Sequence, residues 1–141
     1  MNVYVDTSVV LRVLLGQANV VDCWSNWEQA YVSELIRTEF FRTIDRLRLQ
    51  GVIGDIDRVQ IGLDFEIFYR TCHRIPVSEK ILRRAEQPFP TVIGTLDAIH
   101  LTTLLLTQDQ KGMPMTLLTH DEQLARTALA CGVEVLPVLV T

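Results

Sequence analysis

Short β-prone runs alternate with helix-length segments from one end of this chain to the other. Asn2 to Val5 forms such a run, ends at Asp6, and is followed by a helix from Ser8 to Leu15 with Thr7 or Ser8 as its N-cap. Ala30 to Ser33 precedes a long helix from Glu34 to about Gln50, closed by Gly51. A helix from Asp55 to about Tyr69, a strand from Thr71 to Pro76 and a Ser-capped helix from Ser78 to Gln87 come next. The prolines and glycine of Pro88 to Thr95 predict a loop, which leads into a helix from Leu96 to about Thr107. Met115 to Thr119 reads as a buried strand, Asp121 to Ala130 as a helix stopped by Gly132, and Val133 to Leu136 as a last strand. Strands separated by helices imply an α/β fold whose parallel sheet is covered on both faces. Ligands of such sheets bind outside the carboxyl ends of the strands.

The chain has 141 residues, 48% of them hydrophobic and 21% charged, which fits one domain spanning 1–141 and excludes a mainly disordered or coiled-coil chain. Its apolar stretches fall short of the roughly 20 residues that a bilayer demands. The N-terminus lacks the basic and small-residue signature of a secretory signal, so a cytoplasmic protein is expected. Cys23, Cys72 and Cys131 stand far apart and match neither a disulfide framework nor a cysteine-based zinc site. The net charge of −4 argues against a nucleic-acid coat that works by bulk charge, yet eleven arginines against two lysines leave room for local basic patches.

The rule on strand ends directs attention to Asp6, directly after a strand, and to Asp121, two residues after another. Each could simply cap its helix. Glu39 falls at the border of the stripe Ile36, Phe40, Thr43, Ile44 and Leu47, where it either serves a site or pairs with Arg42. Asp97 lies in the first turn of its helix, with Thr95 as the expected cap, and either complements the dipole or joins the site. Asp97-x-x-His100 could in principle bind a metal, although a lone helical histidine is more often structural. His120 carries the same ambiguity, and His73 has no partner pattern.

Taken together, the four acids can converge on one concave spot, where mutual repulsion is costly unless a divalent cation enters. Oxygen-only donors suit Mg²⁺ or Mn²⁺. Two such ions about 3.5 to 4 Å apart can activate a water and stabilise both oxygens of an in-line phosphodiester displacement.

The segments Met1-Asn2-Val3-Tyr4-Val5-Asp6-Thr7-Ser8, Glu34-Leu35-Ile36-Arg37-Thr38-Glu39, Leu96-Asp97-Ala98-Ile99-His100-Leu101 and Leu117-Leu118-Thr119-His120-Asp121-Glu122-Gln123-Leu124-Ala125 resemble the PIN domain. More narrowly, they are similar to VapC-type toxin ribonucleases of type II toxin–antitoxin pairs. The resemblance implies a three-layer α/β/α sandwich on a parallel sheet of about five strands. It also implies Mg²⁺ or Mn²⁺, an RNA substrate cut endonucleolytically, a homodimer, and a small antitoxin that blocks the site. The family's acidic site maps onto Asp6, Glu39, Asp97 and Asp121, with Thr7, Ser8 and Thr119 as supporting hydroxyls. No aligned pattern covers Gln50 to Pro76 or Pro88 to Thr95.

Acids repel RNA, so arginines must help to hold it, and Arg42, Arg46, Arg83 and Arg84 are candidates unless they are ordinary solvated residues. Phe41, Trp24 and Trp27 are candidate contacts for a second subunit or an antitoxin, or else core. Other functions fit the residues less well. A haloacid-dehalogenase-like phosphatase with Asp6 as nucleophile wants an acid where Ser8 stands, and a receiver module wants a lysine where neither Lys80 nor Lys111 is placed. No glycine falls in a P-loop pattern. A catalytically silent PIN-like interaction module remains the main alternative.

Overall fold

The computed structural model describes residues 1–138; positions 139–141 of the expected domain span lie outside the described residues. Its elements follow in the order β1 (Asn2–Val5), α1 (Thr7–Leu14), β2 (Gln29–Ser33), α2 (Leu35–Leu49), α3 (Asp55–Thr71), β3 (His73–Ile75), α4 (Glu79–Ala85), α5 (Thr95–Lys111), β4 (Thr116–Leu118), α6 (Glu122–Ala130) and β5 (Glu134–Leu136). All strand pairs are parallel, in the order β3-β2-β1-β4-β5. β1 is therefore the centre of the five-stranded sheet, and the chain is wound outward from it in both directions.

Period-two alternation along the strands sorts residues between two cores. Val3, Val5, Ala30, Val32 and Leu118 face a layer holding Val9, Val10, Ile36, Phe40, Ile44 and Phe65 of α1, α2 and α3. Tyr4, Tyr31, Leu117 and Val135 face the opposite layer, with Leu101 and Leu104 of α5 and Leu124 and Ala128 of α6. This is the expected three-layer sandwich. β1, β2 and β4 are buried on both faces, which is why they read as short runs dominated by Val, Leu and Tyr, whereas the edge strand β3 is largely exposed.

Local details differ from expectation where helix ends are concerned. The N-cap of α1 is Asp6 rather than Thr7 or Ser8, because its carboxylate accepts from the Ser8 N–H. α5 begins at Thr95 after Gly94, so Thr95 is the first helical residue and not the cap. That helix also runs one turn past Thr107, ending where Gly112 adopts a left-handed conformation (φ 66°) that suits glycine. β3 is limited to His73–Ile75, and the three cysteines are free thiols. Among the described residues, no helix is long and apolar enough to cross a membrane.

Candidate metal centre

The carboxyl ends of β1 and β4 lie side by side, with Val5 opposite Leu118 and the Asp6 N–H donating to the Leu118 carbonyl at 3.0 Å. This pairing sets Asp6 beside Thr119. The Asp6 carboxyl is nearly buried, and its Oδ2 accepts from Ser8 Oγ at 2.6 Å, from Thr119 Oγ1 at 2.9 Å and from the Ser8 N–H at 3.4 Å. Among the described residues nothing hydrogen-bonds to Oδ1. Three donors thus hold one oxygen and leave the other available.

The hydroxyls extend the arrangement to Asp121. Thr119 Oγ1 accepts from the Asp121 N–H at 3.0 Å, and Ser8 Oγ accepts from the His120 N–H at 2.9 Å. Asp121 caps α6 by accepting from the Leu124 N–H through Oδ1 at 3.0 Å, which leaves Oδ2 without a partner among the described residues. For both Asp6 and Asp121, capping and site geometry coexist in one carboxylate, because each role uses a different oxygen.

Glu39 reaches the site from α2. Its Oε1 accepts from Thr7 Oγ1 at 3.0 Å and from His100 Nε2 at 2.5 Å. Arg42, the alternative partner, pairs instead with Asp45 at 3.3 Å. Asp97, in the first turn of α5, makes no hydrogen bond among the described residues. Its carboxyl is pushed up to about 6, first by burial and then by the charges of Asp121 and Asp6, with Glu39 adding to the effect and His100 opposing it. Asp97 therefore feels the charges of the other three acids, and no hydrogen bond among the described residues supports its ionised form.

The donor set consists of hard carboxylate oxygens. Among the described residues, Asp6, Glu39 and Asp121 each keep one oxygen free, and Asp97 keeps two. These residues fit a divalent ion such as Mg²⁺, whose binding would relieve the repulsion felt at Asp97. Among the described residues, no three or more acidic, histidine or cysteine side chains stand close enough together to hold an ion as they are placed, so binding would draw the carboxylates inward. An open arrangement suits an ion that keeps several of its waters. The space that the four acids border, the notch, is flanked at Asp121 by a small cavity of about 190 Å³ lined also by Thr119, His120 and Pro137. A cavity of about 720 Å³ sits at the other, amino ends of the strands, among Met1, Met113, Pro114 and Thr116, away from the acids.

His100 is fully buried and is not a free ligand: Nε2 faces Glu39, and Nδ1 lies 2.8 Å from the Tyr4 hydroxyl. Burial disfavours the imidazolium, yet the hydrogen bond and charge of Glu39, with Asp6 and Asp97, raise its pKa overall. His120 is shifted down by burial and by Arg12. Tyr4 was not among the residues singled out from the sequence. The available signal was a hydroxyl-bearing side chain in a strand buried on both faces, two residues before Asp6.

The residues proposed for partners divide. Phe41 lies against Phe40 and Phe65, with the guanidinium groups of Arg37 and Arg58 over its ring, so it packs within the chain. Trp24 stacks on Phe68 and meets Trp27 edge-on; with Asp64, Ile67 and Thr71 they line an open cavity of about 450 Å³. Arg84 lies over Phe89 and Arg83 pairs with Glu86, whereas Arg46 lines a surface groove with Arg42, Thr43 and Gln50.

A family model of the PIN domain matches residues 3–130. The fold is similar to a toxin–antitoxin complex chain from Klebsiella pneumoniae, with 17% identity, 99% of this chain and 96% of that chain covered, and a TM-score of 0.63. It is also similar to FitAcB from Neisseria gonorrhoeae, with 20% identity, 96% of each chain covered and a TM-score of 0.63. A third similar structure is Mycobacterium tuberculosis VapC20, a sarcin–ricin loop cleaving toxin, with 14% identity, 88% of this chain and 93% of that chain covered, and a TM-score of 0.62. At these identities the likeness is one of fold. No curated protein matches in sequence.

Proposed function

The chain belongs to the PIN-domain family, and from that premise we propose that it is a divalent-metal-dependent endoribonuclease, the toxin of a toxin–antitoxin pair. The observation that carries this reading is the notch itself. Four acids from both helical layers lie near the carboxyl ends of β1 and β4, close enough for three of them to raise the Asp97 carboxyl, and each has an oxygen without a hydrogen bond among the described residues. Such a cluster is costly in a fold that does not use it.

In this reading Asp6, Asp97 and Asp121 would hold one or two Mg²⁺ or Mn²⁺ ions, and Glu39 would hold an ion or orient a water. The bound ion supplies a water of lowered pKa and positive charge against the phosphate oxygens. The chain's own groups do the positioning. Thr119 and Ser8 engage Asp6 Oδ2 and leave Oδ1 without a partner among the described residues, and Thr7 holds Glu39 Oε1, leaving Oε2 to accept from the attacking water. Attack by water on phosphorus with loss of the 3′-oxygen leaves 5′-phosphate and 3′-hydroxyl ends.

The partner in this reading is a small antitoxin. Supporting it is an apolar stripe on α3: Ile56, Val59, Leu63 and Ile67 are between 56% and 86% exposed and lie opposite the buried Ile61, Phe65 and Phe68. A helix apolar on both sides is incompletely covered. Asp57 and Asp64 border the stripe and Trp24 and Trp27 stand at its end, so an amphipathic helix with basic flanks fits it better than an acidic second copy of α3. A homodimer through another face is compatible with this arrangement.

Structured RNAs incubated with the purified protein in Mg²⁺, Mn²⁺ or EDTA test the proposal, with Asp6→Asn in parallel. Cleavage that requires metal, disappears in the variant and leaves 5′-phosphates is the expected result. Cyclic 2′,3′-phosphate ends, or equal cleavage by both proteins, would overturn it; metal-independent inactivity in both would favour a silent interaction module.

A further inference from the structure

A hydrogen-bonded chain runs through the core beneath the notch. The Tyr4 hydroxyl lies 2.8 Å from His100 Nδ1, and His100 Nε2 lies 2.5 Å from Glu39 Oε1, which also accepts from Thr7. Tyr4 and His100 are both fully buried. The Tyr4 ring packs among Leu101, Leu104 and Leu117, with Thr103 and the Ser33 backbone near its hydroxyl, while His100 faces Glu39 and the neighbouring Asp6 and Asp97. Polar groups in such a place need a partner to offset their desolvation, so their presence is not explained by core filling.

The placement of the three side chains is informative. Tyr4 is two residues before Asp6 on β1, so both project from the same side of the strand. His100 is three residues after Asp97, about 4.5 Å further along α5 on the same face. Glu39 comes from α2, in the opposite helical layer. The chain thus joins the three elements that deliver Asp6, Asp97 and Glu39, and it crosses the sheet where no backbone ladder can set their separation.

We infer that Tyr4 and His100 are positioning residues for the acid site, acting as a strut that sets where Glu39 stands relative to Asp97 and Asp6. His100 donates through Nε2 and occupies one oxygen of Glu39, so that the other is presented to the notch. Tyr4 holds the ring in that orientation from the central strand. Hydrogen-bonding partners of this kind, one step behind the groups that hold an ion, change metal affinity or activity by about 10- to 100-fold when removed. The inference rests on the reading of the notch as a divalent-cation site.

The test compares wild type with His100→Leu, His100→Gln and Tyr4→Phe by Mn²⁺ calorimetry, thermal melting and RNA cleavage. His100→Leu is expected to lose Mn²⁺ affinity and kcat about 10- to 100-fold, with KM for RNA little changed. The buried Tyr4 hydroxyl loses its His100 partner, so some fall in Tm is expected, and Mn²⁺ affinity is compared on protein shown by melting to be folded at the assay temperature. His100→Gln keeps a donor at the Nε2 position and should recover most of the affinity, which a purely structural role would not require. Folded His100→Leu with wild-type Mn²⁺ affinity overturns the inference. Should that variant not fold, Tyr4→Phe decides, since it removes one hydroxyl and keeps the ring: a loss of affinity supports the strut, and unchanged affinity overturns it. Variants that match a wild type that binds Mn²⁺ and cuts RNA sink the strut alone. A wild type that does neither removes the cation site and the strut together.

Discussion

Thr119 Oγ1 donates to Asp6 Oδ2 at 2.9 Å while accepting the Asp121 N–H at 3.0 Å, so one hydroxyl links two of the four acids. Thr119→Val keeps the shape and breaks both links. The half-buried Asp121 N–H then loses its acceptor, which costs about 1 kcal/mol. Melting should register that loss, and Mn²⁺ affinity should fall about tenfold as Asp6 loses one of its fixed donors. Thr119→Ser, which retains the hydroxyl, should stay close to wild type in both measurements.

Asp97 gives a pH dependence with a definite sign. Its carboxyl is raised from 3.8 to about 6 by burial and by its acidic neighbours, so the folded protein holds this proton to higher pH than the unfolded chain does. The contribution of Asp97 to stability therefore declines as pH rises from about 4 to about 6 and is flat above that. In metal-free buffer, Asp97→Asn should melt higher than wild type at pH 7.5, with the difference shrinking toward pH 4. Mn²⁺ has to displace the proton, so affinity in wild type should rise through pH 6. In Asp97→Asn, binding should be weak at every pH. A melting difference independent of pH would contradict this assignment.

Much of the fold could be read from the chain because β1, β2 and β4 are buried on both faces and the helices between them carry distinct apolar stripes. The acids Asp6 and Asp121 were accessible for the same reason: strand ends are visible in sequence. Their double role was not. Capping and site function looked like alternatives, whereas the geometry assigns them to separate oxygens of one carboxylate. The end of α5 was placed too early because Gln108 to Lys111 are polar, and polarity on an exposed last turn does not stop a helix. The strut was illegible for a different reason. Tyr4 and His100 are 96 residues apart, and His100 and Glu39 are 61 apart, so only the crossing of the sheet brings them together.

Arg46 lies seven residues beyond Glu39 on α2, about 10 Å along the helix. Arg42 is tied to Asp45, whereas Arg46 forms no ion pair among the described residues. A strand entering the notch along this face would place a phosphate near Arg46. With Asp6→Asn as a cleavage-deficient background, Arg46→Gln should weaken RNA binding and reduce the slope of log affinity against log salt by about 0.7. Mn²⁺ binding should be unaffected. An unchanged salt slope would place the RNA on another face.

The stripe on α3 makes the antitoxin part of the proposal testable apart from catalysis. Leu63 and Ile67 are exposed and lie away from the notch elements, so Leu63→Glu with Ile67→Glu should change folding stability by no more than about 0.5 kcal/mol per site. The added acids stand beside Asp64 and would face the basic flank expected of the partner, but the apolar contact is lost. RNA cleavage by the double variant should equal wild type, while a co-expressed antitoxin should no longer remain bound through size-exclusion chromatography. If the complex survives intact, the antitoxin docks elsewhere and the stripe serves another contact. If cleavage is lost together with the complex while Tm is unchanged, α3 takes part in holding RNA, and the separation between a docking face and a catalytic notch would have to be abandoned.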